Sequence, residues 1–395
     1  MYRVICLIYF LIIIPATASS QKKLSGVITD AATGTPLPSA SVFLSNTSAG
    51  TATDTKGAFT IYNFPDGKFD LVISCLGYDT YVVTVESVNI PAPLNISLKQ
   101  KVKELDEVVV GGTEKLSWDD WGPFFLRNFI GSSSIARDCS ITNYKTIELR
   151  RNKKTRNISA VADEQLIIEN KALGYRIYYQ LERFEFEQKT GFVFFAGYPF
   201  FEAMTAKKEK VMKRWKQNRQ ETYEGSQMHF LRALYRNRLA EEKFEVRRLT
   251  KFINTEKQRI RNIYRLHAIQ KPGKSEDSSG YYERILSEPD EKSFLHTPLL
   301  SGDSIAYATD SVTLFLSFHN FLYVVYKNKK EPALYLAQTN QQRSPAPISS
   351  EMWLSEDEIQ VFHNGSYHPG TAIVNSGFWG WSEKVGTMLP FDYYP

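Results

Sequence analysis

Histidines, cysteines and neighbouring carboxylates are the residues through which this chain would do chemistry, and each set is sparse. The histidines are His229, His267, His296, His319, His363 and His368. A zinc peptidase needs histidine ligands at fixed spacing with a glutamate beside them. None of the six opens a His-x-x-Glu or His-Glu-x-x-His run. His363 and His368 are five residues apart and flank Asn364-Gly365, a pair typical of a tight turn, so a turn is preferred to a metal site. Asp119 and Asp120 could act as a glycosidase acid and base. Read as strand residues they point to opposite faces, and Trp118 and Trp121 on either side suit a buried cap. Cys139 follows Asp138 and has no neighbouring histidine to activate it as a nucleophile. No Gly-x-Ser-x-Gly elbow, phosphate-binding glycine loop or EF-hand loop is present. The expectation is a non-enzymatic protein with no catalytic, cofactor-binding or metal-ligating residue.

The rest of the chain must therefore be read for architecture. At 395 residues it is long enough for two or three domains. Its hydrophobic share of 43% and charged share of 23% are those of a folded globular protein. The 25 Phe, 22 Tyr and 6 Trp favour strands and sheet cores. A net charge of +5 is mild and argues against nucleic acid as a partner.

Residues 1–20 read as a signal peptide. Arg3 precedes an apolar run from Val4 to Ile14, and small residues follow in Pro15-Ala16-Thr17-Ala18-Ser19-Ser20. Cleavage after Ala18 or after Ser20 fits equally well. Cys6 lies inside the run, so a lipoprotein anchor is not expected, and no later stretch is long and apolar enough for a membrane helix. The other cysteines are Cys75 and Cys139. Cys75 is in phase with Phe69, Leu71 and Ile73, which places it on a core face as an unpaired thiol. These features predict export to the periplasm or outer membrane.

Residues 22–100 alternate apolar and polar side chains over short runs separated by Gly, Pro, Asn and Asp. Ala40, Val42 and Leu44 form one such run, Phe59 and Ile61 another, and Phe69, Leu71 and Ile73 a third. This pattern predicts a β-sandwich. The turn Asp54-Thr55-Lys56-Gly57 feeds the strand carrying Phe59, with Gly57 taking a positive φ. The ordered series Ser25-Gly26-Val27-Ile28-Thr29-Asp30, Gly34-Thr35-Pro36-Leu37-Pro38, Thr53-Asp54 with Gly57 and Phe59, and Leu76-Gly77-Tyr78 resembles the carboxypeptidase regulatory-like domain. That resemblance implies a transthyretin-like seven-strand sandwich without catalytic residues, of a kind that precedes outer-membrane receptors and other envelope proteins in Gram-negative bacteria.

Residues 101–118 read as a linker. Within it, Glu104 to Gly112 resembles the segment joining this domain to the plug of TonB-dependent receptors. The roughly 280 residues that follow are too few for a plug and a 22-strand barrel, and Val108–Val110 also reads as an ordinary edge strand.

Residues 119–395 are expected to form an α+β domain. Leu173, Tyr175, Ile177, Tyr179 and Leu181 alternate along a strand whose phase flips at Phe184, predicting a bulge near Glu182 and Arg183. Gln188-Lys189-Thr190-Gly191 predicts a hairpin loop. Phe192–Tyr198, apolar on both faces, predicts a central covered strand.

Between 206 and 243 the spacing of Val211, Trp215, Met228, Leu231, Leu234 and Tyr235 predicts two helices packed on the sheet. Lys207, Lys208, Lys210, Lys213, Arg214, Lys216 and Arg219 would form a basic face, solvated or docked on anionic lipid. Strands return with Leu314–Phe318 and Phe321–Tyr326. The fold expected is thus mainly β, with an α+β C-terminal part carrying a pair of helices.

The function expected is binding or assembly in the cell envelope, with an envelope protein or glycan as partner and peripheral contact with an anionic membrane surface. An envelope hydrolase with an unrecognised site, and a truncated relative of a TonB-dependent receptor N-terminal region, are the alternatives.

Overall fold

The computed structural model describes residues 22–90, 93–101, 112–267 and 279–395. The signal-peptide reading and the TonB-like segment lie outside the described residues, apart from Gly112. Among the described residues no helix is long and apolar enough to cross a membrane.

The first unit is a seven-strand sandwich. Its strands are β1 (Lys23–Asp30), β2 (Ser41–Leu44), β3 (Gly50–Ala52), β4 (Ala58–Tyr62), β5 (Lys68–Ser74), β6 (Tyr81–Glu86) and β7 (Leu94–Leu98). One sheet runs β4-β1-β7 and the other β3-β2-β5-β6. Period-two alternation brings Leu24, Ile28, Val42, Leu44, Phe59, Ile61, Phe69, Leu71 and Ile73 into the core between them. Phe43 and Val72 are also buried, although they face the other way. The second face of β2 and β5 is therefore covered as well.

Two carboxylates shape the sandwich loops. Asp54 accepts hydrogen bonds from the Lys56 N–H at 2.8 Å and the Ala58 N–H at 2.9 Å, and Gly57 follows at φ +71°. Asp30 is 3% exposed and accepts from Tyr78 Oη at 2.7 Å, Gln100 Nε2 at 2.9 Å and the Ala32 and Thr33 N–H groups. The Gln100 amide, the Tyr78 hydroxyl and the backbone donors hold its carboxyl far below the ordinary 3.8. A depressed folded-state value stabilises the fold above the unfolded-state value and is lost as pH falls below it. Melting temperature should therefore drop as pH is lowered below about 4, and Asp30→Asn should flatten that part of the profile. An unchanged acid limb in the variant would count against Asp30 as its source.

The second unit is built on a seven-stranded sheet. It comprises β8 (Thr113–Leu116), β9 (Cys139–Ile141), β10 (Ile147–Asn152), β11 (Ile158–Ala162), β12 (Leu166–Asn170), β13 (Tyr175–Phe186) and β14 (Val193–Ala203), with α1 (Trp118–Phe129) after β8. The path is β8-β10-β11-β13-β12-β9, and β14 pairs with β13. The bulge falls between Leu181 and Arg183, where the phase change placed it.

Three expectations change. β14 is not central: among the described residues its only partner in the sheet is β13. Its apolar side chains divide between Val193 and Phe195, which pack on the core of this unit, and Phe200, which docks on the sandwich. Thr113–Leu116, read as the end of a linker, pairs with β10. The Asp119-Asp120 stretch is helical, not extended. Ser117 caps α1, accepting from the Asp120 N–H at 3.2 Å, and the two aspartates occupy the first turn, where they complement the helix dipole. Gly122 and Pro123, both unfavourable in helices, hid that helix from the periodicity.

Helices α2 (Glu209–Tyr223) and α3 (Gln227–Tyr235) follow. Trp215 is buried against the turn after β12 and donates its Nε1 proton to Lys171 O at 2.9 Å. Gly174 in that turn has φ +69° and lies so close to the Trp215 ring that a Cβ would come within 2.2 Å of it.

The remaining elements are β15 (Phe244–Ile253), α4 (Thr255–His267), α5 (Ser279–Ser287), β16 (Glu291–Leu299), β17 (Ala306–Ala308), β18 (Leu314–Leu316), β19 (Phe321–Lys330), α6 (Ala333–Gln338), β20 (Pro347–Leu354), β21 (Ile359–Val361), β22 (Tyr367–His368), β23 (Ile373–Ser376) and α7 (Gly377–Ser382). They form a five-stranded sheet β16-β15-β19-β20-β23 and a four-stranded sheet β17-β18-β21-β22. Phe230, Leu231 and Leu234 of α3 join Phe244, Val246, Val324, Met352 and Trp379 in one core.

Candidate functional site

The sandwich meets the rest of the chain along the outer face of β2 and β5. Phe43 packs on Phe200 at 5.4 Å between ring centroids. The Asn46 N–H donates to Pro199 O at 2.7 Å, and the Phe201 N–H donates to Thr47 O at 3.0 Å. The loop after β2 thus covers part of the open edge of β14. The chain's last residues close the same junction. The Phe391 N–H donates to Asn46 O at 2.8 Å, and Asp392 accepts from the Ser48 N–H at 3.1 Å and from the Ser48 hydroxyl.

Arg232 of α3 anchors this tail from behind. It is fully buried. Its Nε donates to Asn364 O at 2.8 Å, and Nη2 to Tyr393 O at 2.9 Å and Phe391 O at 3.2 Å. Its guanidinium also lies over the Tyr394 ring at 4.8 Å and the Tyr223 ring at 5.3 Å. A buried cation on α3 therefore fixes the tail and the β21–β22 turn together.

These elements enclose a cleft of about 690 Å³. The sandwich contributes Lys22, Asn63, Phe64 and Asp66, while the turn and tail contribute His363, Asn364, Asp392 and Tyr394. Asn364 Nδ2 donates to Asp66 O at 3.0 Å, tying the two walls. Asp66 is paired with Lys22, which holds its carboxyl below the ordinary range. His363 lies 3.4 Å from Tyr394 Oη. Burial pushes the imidazole below its ordinary value, with the Asp66 charge opposing. Tyr394 is 57% exposed and presents a ring at the rim. The cleft can therefore hold a ligand between planar polar groups and aromatic faces, while its two carboxylates are already engaged by Lys22 and Ser48.

The structure disperses the residues that the sequence singled out. His363 faces this cleft, whereas His368 lies at the β21–β22 pairing opposite Gln360. His229 is buried, accepts from the Gly225 N–H and meets Glu242 at 2.7 Å. His296 meets Thr250 at 3.0 Å. Among the described residues no group of histidine, cysteine and acidic side chains could hold a metal ion. Asp119 and Asp120 are exposed at the start of α1.

Cys75 and Cys139 are free thiols. Cys75 is only half-buried at the edge of the sandwich core, because β5 ends at Ser74. Burial pushes the Cys139 thiol up to about 12, which makes it a poor nucleophile. The basic face of α2 is narrower than the cation count predicts. Arg219 donates to Leu173 O and Gly174 O and lies 3.9 Å over Tyr175, Arg214 reaches Lys171 O, and Lys213 pairs with Glu209.

Sequence reading missed Asp66, Tyr394 and Arg232. Contacts at this junction reach across the whole chain, as between Ser48 and Asp392, 344 positions apart, and no local pattern records that. No curated protein matches the chain. Residues 24–110 match the family model of the CarboxypepD_reg-like domain, so the N-terminal sandwich is similar to that domain in the region where the sequence motifs placed it.

Proposed function

We propose that this chain is a non-enzymatic envelope protein, exported to the periplasm or outer membrane of a Gram-negative bacterium, that holds a glycan between its sandwich and its C-terminal part. The observation that supports this reading is the composite cleft, whose walls come from both units and whose polar lining carries aromatic faces. Sugars present hydroxyls to amides, carboxylates and imidazoles, and a ring face to aromatic side chains. The engagement of Asp66 and Asp392 in fixed contacts supports a binding rather than a hydrolytic role. Exposed lysines on α2 supply a second, salt-sensitive contact with anionic membrane surfaces.

The test is titration calorimetry of the full chain with soluble fragments of envelope glycan. Saturable binding is expected, weakened at least about tenfold in His363→Ala and Tyr394→Ala. Glycan turnover by the wild-type protein would refute the non-enzymatic reading. A folded protein that binds no fragment would refute the ligand class.

A further inference from the structure

Away from the junction cleft, α2 turns into α3 at Gly225, whose φ is +76°. A separate cavity of about 400 Å³ opens at this elbow, near the lower end of the roughly 300–1,000 Å³ usual for small-molecule sites. One wall is apolar, made by Ile135, Leu334, Phe378 and Trp381. The other is polar and holds Glu221, Thr222, Glu224, Lys329 and Glu383.

The two helix ends explain how the charged groups are placed. Lys329 Nζ donates to Glu221 O at 2.5 Å and Glu224 O at 3.1 Å, so it neutralises the carbonyl end of α2. Glu383 accepts from the Gln227 N–H at 3.0 Å, at the donor end of α3. Two of the three ammonium protons of Lys329 are thereby used. Glu221, Glu224 and Glu383 line the cavity beside one ammonium, with Glu221 and Glu224 each accepting a hydrogen bond from a glutamine of α2. Burial pushes the Glu383 carboxyl up and the Lys329 amine down, so both bear a desolvation penalty.

An anion entering this cavity would meet excess negative charge and an ammonium already engaged. A cation with an apolar body would meet the Glu383 carboxyl and the apolar wall. We propose that the elbow cavity binds a small primary amine carrying an aromatic or branched apolar body, with Glu383 as counter-ion.

Titration calorimetry of the full chain with phenethylamine, phenylacetate and 2-phenylethanol tests this. The three probes share a ring and differ in charge. Phenethylamine is expected to bind about tenfold more tightly than either of the others. Glu383→Gln should abolish that preference. The comparison of probes on the wild-type protein needs no variant to fold. Equal or tighter binding of phenylacetate or 2-phenylethanol, absence of saturable amine binding, or an unchanged preference in a folded Glu383→Gln variant would each overturn the proposal.

Discussion

Replacing Arg232 by methionine is expected to destabilise the full chain by about 3–5 kcal/mol. The side chain donates to three carbonyls, those of Asn364, Phe391 and Tyr393. Methionine fills much of the volume but supplies no donor. A carbonyl left unpaired in a buried site loses roughly 1–3 kcal/mol, and the contacts with the Tyr223 and Tyr394 rings are lost as well. Partial rehydration of the exposed end of the tail keeps the total below the sum of these terms. Chemical denaturation measures the change, and limited proteolysis should show the tail cut earlier than in the wild type. A variant within about 1 kcal/mol of wild type would mean that the tail is held by its contacts with Asn46 and Ser48 without Arg232.

The second large effect is expected at Gly57. Valine there must adopt a left-handed backbone, which is unfavourable for a β-branched residue by about 1–2 kcal/mol. A Cβ at this position would also stand 2.4 Å from Ile28 O, and Ile28 itself donates to Gly57 O at 2.8 Å. The strand pairing between β1 and β4 would have to open at that point, for a total of about 3 kcal/mol or more. Gly34 provides the internal comparison. Its φ is +70°, but a Cβ added there would meet no described atom within 4 Å, so Gly34→Val should show the backbone strain alone. Equal destabilisation in the two variants, measured by thermal unfolding, would exclude the steric part of the argument.

The sandwich was readable in the sequence because its determinants are local. Alternating apolar residues lie within each strand, and Asp54 and Gly57 close a turn within four positions. The bulge after Leu181 was readable for the same reason, since a phase change is a local signal. Helix α1 was not, because Gly122 and Pro123 masked its period while the capping interaction depended on Ser117. The strand β14 misled in an instructive way: a two-sided apolar strand can be central in its sheet or can sit at an edge against another unit, and sequence period does not distinguish them. Phe43 carried the complementary clue. It lies between Val42 and Leu44, so one of three consecutive apolar residues had to face away from the sandwich core. Neither cavity was readable, because each gathers side chains from elements far apart in the chain.

The contact between Ser48 and Asp392 spans 344 positions, and that separation orders the events of folding. Closing a loop of that length in an unfolded chain would cost about 5 kcal/mol of entropy, so the contact is a poor nucleus. The sandwich, whose widest strand pairing spans 68 positions, is expected to form before it. Until the sandwich docks on β14, Phe43 and the edge of β14 stay uncovered, and the half-assembled protein carries a sticky strand edge of the kind that promotes aggregation. The tail therefore acts as the final clasp, and the interval before it engages is the period in which a crowded compartment or a chaperone would have most influence on the yield of native protein.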